Sequence, residues 1–208
     1  MPELETARFA SLFATPLLEH MWADSAALNA ELRDRILEQA RRHPGKERTN
    51  IGGWHSETGV LEFCGSAGKQ LIGRISAMTE EATRRLYAQF GRSPERLDWV
   101  LSAWANINRR GDFNNLHMHP GATWSGVYYV ANGEADPDAD GTAINLADPS
   151  PARSNVFFPE LTSANVLFKP APGLMILFPS YVPHSVPPHR GDGPRISIAF
   201  NLRKDPFP

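Results

Sequence analysis

The chain has 208 residues, of which 41% are hydrophobic, 10% aromatic and 21% charged, enough apolar material for a sizeable core and too much for a disordered chain. A formal net charge of −2 excludes partners held by bulk positive charge, such as nucleic acid or an anionic membrane. The single cysteine, Cys64, excludes an internal disulfide framework, fits a reducing, cytoplasmic setting, and reads as a small buried hydrophobe.

The opening MPELETARFASLFATPLLEH carries acidic residues early and no long apolar run, so neither a signal peptide nor a membrane span is expected. Residues 23–42 place Leu28, Leu32, Ile36 and Leu37 at helical spacing, with Asp24 or Ser25 as N-cap, and His43-Pro44-Gly45 stops the helix. A second helix is expected over 69–90, with Leu71, Ile72, Ile75, Met78, Ala82, Leu86 and Phe90 as its stripe and Gly91 just past its end. From Leu97 the period shortens to two. DWVLSAWANINRRGDF, SGVYYVA, TAINLA, NVLF, LMILF and RISIAFNL read as short strands between Pro- and Gly-rich connections. The acidic segment 134–140 reads as a solvated loop. Helices followed by six or more short strands predict a mainly β chain with flanking helices (α+β), a jelly roll with the N-terminal helices packed on one side. We expect one domain over 1–208, with 1–95 mostly helical and 96–208 forming the β core.

Within FNNLHMHPGATWSGVYYV, side chains two apart on an extended strand point the same way, so Asn115, His117 and His119 share a face. A bend at Pro120-Gly121 lets both imidazoles converge on one metal. Farther on, His184 follows an apolar strand and a proline-rich corner, ten residues before Arg195. On RISIAFNL, Arg195, Ser197, Ala199 and Asn201 face one way and Ile196, Ile198 and Phe200 the other. The planar guanidinium fork of Arg195, with the Ser197 hydroxyl beside it, makes a carboxylate clamp. Taken singly, each feature has an ordinary structural explanation, because short motifs match by chance. His20, His43 and His55 are assigned to structure or surface, and His189 to a solvent-exposed loop.

Together, the histidine pair, the distal histidine and H-x₁₀-R-x-S resemble the Fe(II)- and 2-oxoglutarate-dependent oxygenases. The phrases WANINRRGDFNNLHMHPGATWSGVYYV and ILFPSYVPHSVPPHRGDGPRISIAFN are similar to a bacterial group in that superfamily with H-x-H in place of H-x-D, as are FATPLL and TNIGGWHS. The resemblance implies a cupin-like double-stranded β-helix holding Fe(II) in its mouth, with 2-oxoglutarate and O2 as co-substrates. It implies His117 and His184 as ligands and Arg195, helped by Ser197, on the remote carboxylate of 2-oxoglutarate. The superfamily's middle ligand is a carboxylate, and here that position is His119. Three readings follow in order: His119 binds, water binds with His119 turned aside, or Asp112 reaches in from the RRGDF turn. Tyr128 is expected to reach a 2-oxoglutarate carboxylate, Trp104, Asn106, Asn108 and Asn201 to line the pocket, and Asn115 to orient a ligand histidine.

The expected function is therefore a dioxygenase that hydroxylates a small molecule or an amino-acid side chain. A cupin-like three-histidine metalloenzyme that does not use 2-oxoglutarate is the first alternative. H-M-H favours it, and the lack of any acid in ATWSGVYYV opposes it. A non-catalytic ligand-binding jelly roll is the second. The helices offer surfaces for a homodimer.

Overall fold

The computed structural model describes residues 13–95, 97–134, 143–150 and 163–205, so the segment read as an acidic loop lies, apart from Glu134, outside the described residues. Strand β1 (Leu18–Met21) leads into helix α1 (Ala26–Arg42), which buries Leu28, Leu32 and Ile36, about one per turn. Ser25 stands at its N-cap, but its side chain makes no capping bond. Asp24 instead pairs at 2.9 Å with Arg74, a buried guanidinium of the next long helix.

Short strands β2 (Asn50–Ile51) and β3 (Trp54–His55) precede helices α2 (Val60–Phe63) and α3 (Gly65–Ala88). A Cβ on Gly68 would lie 1.8 Å from the Leu61 carbonyl oxygen, so only glycine lets α3 pass this close to α2. Leu71, Ile75, Met78 and Ala82 form the buried stripe of α3. Ile72 lies on its solvent side and Phe90, 74% exposed, lies beyond its end, so both leave the expected stripe. The helix ends where Gly91 turns left-handed at φ 64°, with its N–H on Ala88 O at 3.0 Å and Arg92 N–H on Tyr87 O at 3.1 Å. These two bonds make a Schellman motif, which satisfies the last helical carbonyls.

The remaining strands are β4 (Trp99–Asn108), β5 (Phe113–His117), β6 (Trp124–Asn132), β7 (Ile144–Ala147), β8 (Asn165–Phe168), β9 (Leu174–Pro179), β10 (His184–Val186) and β11 (Arg195–Lys204). Among the described residues they build two antiparallel sheets, ordered β1-β9-β6-β11-β4-β3 and β2-β5-β10-β7-β8. Residues before 96 thus supply strands to both sheets as well as helices.

The larger sheet is buried on both faces. Its outer face packs Ile196, Ile198, Phe200, Tyr128 and Met175 against α1 and α3. Its inner face packs Val127, Tyr129, Ile176 and Phe178 against Ile144 and Leu146 of the smaller sheet. Strand alternation sends neighbouring residues to these two layers, so a polar residue on the inner face points into the space between the sheets. Cys64 is fully buried, and burial pushes its thiol up to about 12. Among the described residues no helix is long and apolar enough to cross a membrane.

Candidate metal centre

The site begins with a register. His117, the last residue of β5, pairs directly with His184, the first residue of β10, and their ring centroids lie 4.3 Å apart. Between that pair and Asn114↔Val186 the register shifts, two residues of β5 (Asn115 and Leu116) opposing one of β10 (Ser185). This bulge breaks simple alternation. Asn114 and His117 both line the cavity, while the Asn115 side chain turns out to solvent.

Two residues on, the chain bends at Pro120-Gly121, where Gly121 has φ 92°. His119 N–H donates to Ser180 O at 3.1 Å, and Ser180 N–H donates to Thr123 O at 3.1 Å. The loop before β6 is thereby tied to the corner before His184. His119 lies 5.0 Å, centroid to centroid, from both His117 and His184. Among the described residues these three form the group whose donor atoms lie within 4.8 Å of one another.

The ring nitrogens are assigned by their partners. His117 Nδ1 faces the Asn115 carbonyl oxygen at 2.7 Å, and His184 Nδ1 faces the Val182 carbonyl oxygen at 3.0 Å. A carbonyl oxygen only accepts, so both Nδ1 atoms carry the proton and both Nε2 lone pairs stay available to a metal. Burial, reinforced by His117, pushes His184 down to about 3 and His119 down to about 4; burial also lowers His117. All three are neutral near pH 7, as ligands must be. Neutral imidazoles clustered at this spacing fit a first-row divalent metal such as iron.

Asp112 does not join them. Its carboxylate accepts from Arg109 N–H at 2.8 Å and packs against Gly52, in the turn between β4 and β5. Of the three readings of the third ligand, only His119 has its side chain in the cluster.

Facing the triad across the sandwich is the inner face of β11. Arg195, 3% exposed, pairs with Asn108 of β4 and Asn132 of β6, and Ser197 pairs with Asn106 and Tyr129. Burial lowers the Arg195 guanidinium, while Tyr129 and Asp112 raise it. An arginine remains charged after such a shift. Trp104, Asn106, Asn108 and Asn201 line the same cavity of about 400 Å³. Asn201 accepts from Ser125 Oγ at 2.7 Å, and the Trp104 ring meets that of His119 edge-on at 5.6 Å.

Four sequence expectations need correction. Tyr128 lies outside the cavity, on the helix side of β6, where its hydroxyl donates to Asn29 Oδ1 at 2.7 Å and accepts from Arg74 at 3.4 Å. The residue that faces Arg195 is Tyr129, whose phenol is raised by burial and lowered by the Arg195 charge. Asn115 holds the His117 ring with its backbone carbonyl, not its side chain. His55 lines the cavity, stacked on Trp104 at 5.7 Å. His189, 1% exposed, is buried rather than solvent-exposed: its Nε2 faces Gly193 O at 2.9 Å and its backbone joins Asp112 and Gly111.

Arg48, Asn114 and Tyr129 were not singled out from sequence, because no periodicity marks which loop residues or which of two adjacent tyrosines turn inward. TNIGGWHS was the available signal for His55.

Residues 102–201 match a family model described as "Putative 2OG-Fe(II) oxygenase". Comparison with curated proteins gave no match. Among solved structures, a Pseudomonas putida prolyl-4-hydroxylase is similar at 18% identity and TM-score 0.61, covering 93% of this chain and 95% of that one. A prolyl hydroxylase from Trichoplax adhaerens is similar at 14% identity and TM-score 0.61, covering 90% and 83%. The non-haem α-ketoglutarate-dependent carbocyclase SnoK of nogalamycin biosynthesis is similar at 10% identity and TM-score 0.63, covering 92% and 80%. These three share the double-stranded β-helix fold with this chain. The matched residues hold the histidine triad and Arg195 together, and it is over this stretch, residues 102–201, that the chain is similar to the 2OG-Fe(II) oxygenases.

Proposed function

We propose that His117, His119 and His184 hold Fe(II), that Arg195, Ser197 and Tyr129 hold 2-oxoglutarate, and that the enzyme oxidises a small molecule or an amino-acid side chain. One observation carries this reading: a histidine triad and a buried arginine, from facing sheets, line one cavity. Bound there, the iron supplies the redox chemistry that couples O2 and the conversion of 2-oxoglutarate to succinate and CO2 to oxidation of a substrate C–H bond.

The chain's own residues do the positioning. Carbonyl acceptors at Asn115 and Val182 fix two imidazole rings with Nε2 inward. A donor set of three residues leaves coordination positions for exogenous ligands. The Arg195 fork takes the distal carboxylate in a buried setting, where charge-assisted hydrogen bonds are strong, and the Ser197 and Tyr129 hydroxyls donate beside it. Trp104 and Phe178 exclude water from the walls.

The test is anaerobic binding of 2-oxoglutarate to the Fe(II)-loaded protein, followed by succinate measurement after O2 is admitted. Binding in the wild type, lost in Arg195→Ala, is the expected result. No binding, or equal binding in Arg195→Ala, overturns the proposal. The all-histidine donor set also suits a three-histidine metalloenzyme that needs no 2-oxoglutarate. That reading gives the inward-facing Arg195 no carboxylate to bind, and the same measurement separates the two. We also read the chain as one cytoplasmic domain, from its single cysteine and near-neutral charge, with its helices available for a homodimer.

A further inference from the structure

The family match begins at residue 102, yet one wall of the cavity comes from upstream, from Arg48, Thr49, His55 and Thr58. This wall is tied down by its backbone. Lys46 N–H donates to His55 O at 2.8 Å, Asn115 N–H to Thr49 O at 2.9 Å and Arg48 N–H to Asn50 Oδ1 at 2.8 Å. Ser56 is clamped to β4 twice, its N–H donating to Ala105 O and its Oγ accepting from Ala105 N–H, both at 2.9 Å.

The clamp presents His55 to the cavity. Its Nδ1 faces Ser56 O at 2.6 Å, so the proton sits there and Nε2 is left as an acceptor. The ring lies nearly parallel to Trp104, 12° between planes, and Trp104 in turn meets His119. An aromatic path thus runs from the upstream wall to the triad.

Charge gives the wall its chemistry. Among the described residues no Asp or Glu lines the cavity, and the two formal cations that do are Arg195 on the inner sheet face and Arg48 at the rim. Among the described residues Arg48 forms no ion pair, and its charge is close enough to disfavour protonation of His55. With His119 where a carboxylate is usual, the metal site brings no negative charge of its own. A dianionic co-substrate then leaves the divalent metal, Arg195 and Arg48 net positive, a field that favours an anion as the next occupant.

We propose that Arg48 is the specificity determinant at the substrate end, binding a carboxylate of the substrate while His55 Nε2 accepts a hydrogen bond beside it, so that the enzyme oxidises acidic small molecules. This rests on the reading of Arg195 as the 2-oxoglutarate clamp. The test uses the full chain loaded with Zn(II) and saturating 2-oxoglutarate, which cannot turn over. N-acetylglycine, N-acetylalanine and N-acetylleucine are titrated against their uncharged amides by saturation-transfer NMR.

The acids are expected to bind about five- to tenfold more tightly than their amides, as one solvent-facing charge-assisted contact allows. Arg48→Gln removes that ratio and Arg48→Lys keeps part of it, with 2-oxoglutarate affinity held within about twofold in both as the sign of an intact cavity. Equal binding of acids and amides, or binding of neither, with 2-oxoglutarate bound normally, overturns this proposal alone. An unchanged ratio in Arg48→Gln overturns it as well. Failure of the wild type to bind 2-oxoglutarate overturns the Arg195 reading and this proposal with it.

Discussion

Tyr128 and Tyr129 leave opposite faces of β6, so replacing each with phenylalanine separates stability from co-substrate binding. Tyr128→Phe deletes a buried hydroxyl that donates to Asn29 Oδ1 at 2.7 Å and accepts from Arg74 at 3.4 Å. Asn29 is itself buried and keeps an acceptor without that donor. Such a loss costs about 1–2 kcal/mol. At about 2–4 °C per kcal/mol for a chain of this size, the melting temperature falls by roughly 2–8 °C. Affinity for 2-oxoglutarate stays within about twofold, because no Tyr128 atom lines the cavity. Tyr129→Phe does the reverse. It removes a hydroxyl facing the buried Arg195, weakening 2-oxoglutarate binding about tenfold while the melting temperature moves by under about 2 °C. Urea and thermal unfolding of the metal-free protein, beside anaerobic calorimetry with 2-oxoglutarate, measure both. If Tyr128→Phe weakens binding as much as Tyr129→Phe, or leaves stability untouched, the face assignment of β6 is wrong.

Arg195→Gln keeps the shape of a polar side chain but removes the fork and the charge, and calorimetry should show 2-oxoglutarate bound about 100-fold more weakly. His117→Ala and His184→Ala should each lose stoichiometric metal on elemental analysis, whereas Asn115→Ala should retain it, because the carbonyl that holds the His117 ring survives the substitution. Metal loss in Asn115→Ala would show that its side chain matters after all. Cys64 carries an alkaline prediction. Its folded pKa of about 12 stands above the ordinary thiol value of 9.0 because the thiol is buried, so its contribution to stability is complete below pH 9 and declines as pH rises toward 12. Unfolding free energy measured across that range should fall less in Cys64→Ala. Ellman's reagent should react with the wild type only after denaturation; prompt labelling of the native protein would contradict the burial.

Much of the site was legible because a strand has a period of two. On RISIAFNL the alternation placed Arg195, Ser197 and Asn201 inward and Ile196, Ile198 and Phe200 toward the helices, and the sheet packs in that way. The same rule failed on FNNLHMH. A bulge against β10 adds one residue there, turning Asn114 inward and Asn115 out, and a bulge depends on the partner strand. It failed again on VYYV, where a sheet buried on both faces accepts a tyrosine on either side, so the sequence carries no contrast between them.

By itself, then, the sequence determined the residue types for a metal and a carboxylate, their order along the chain, and the strand parity that aims Arg195 inward. These depend on local geometry and on side-chain chemistry. Only the tertiary structure decided that His119, not Asp112, stands with His117 and His184, because that grouping depends on the loop tied through Ser180 and the turn that holds Asp112 against Gly52. It alone brought Arg48 and His55 to the same cavity, from a segment more than forty residues before the strands it completes. Contacts at that separation arise from packing, which no local period encodes.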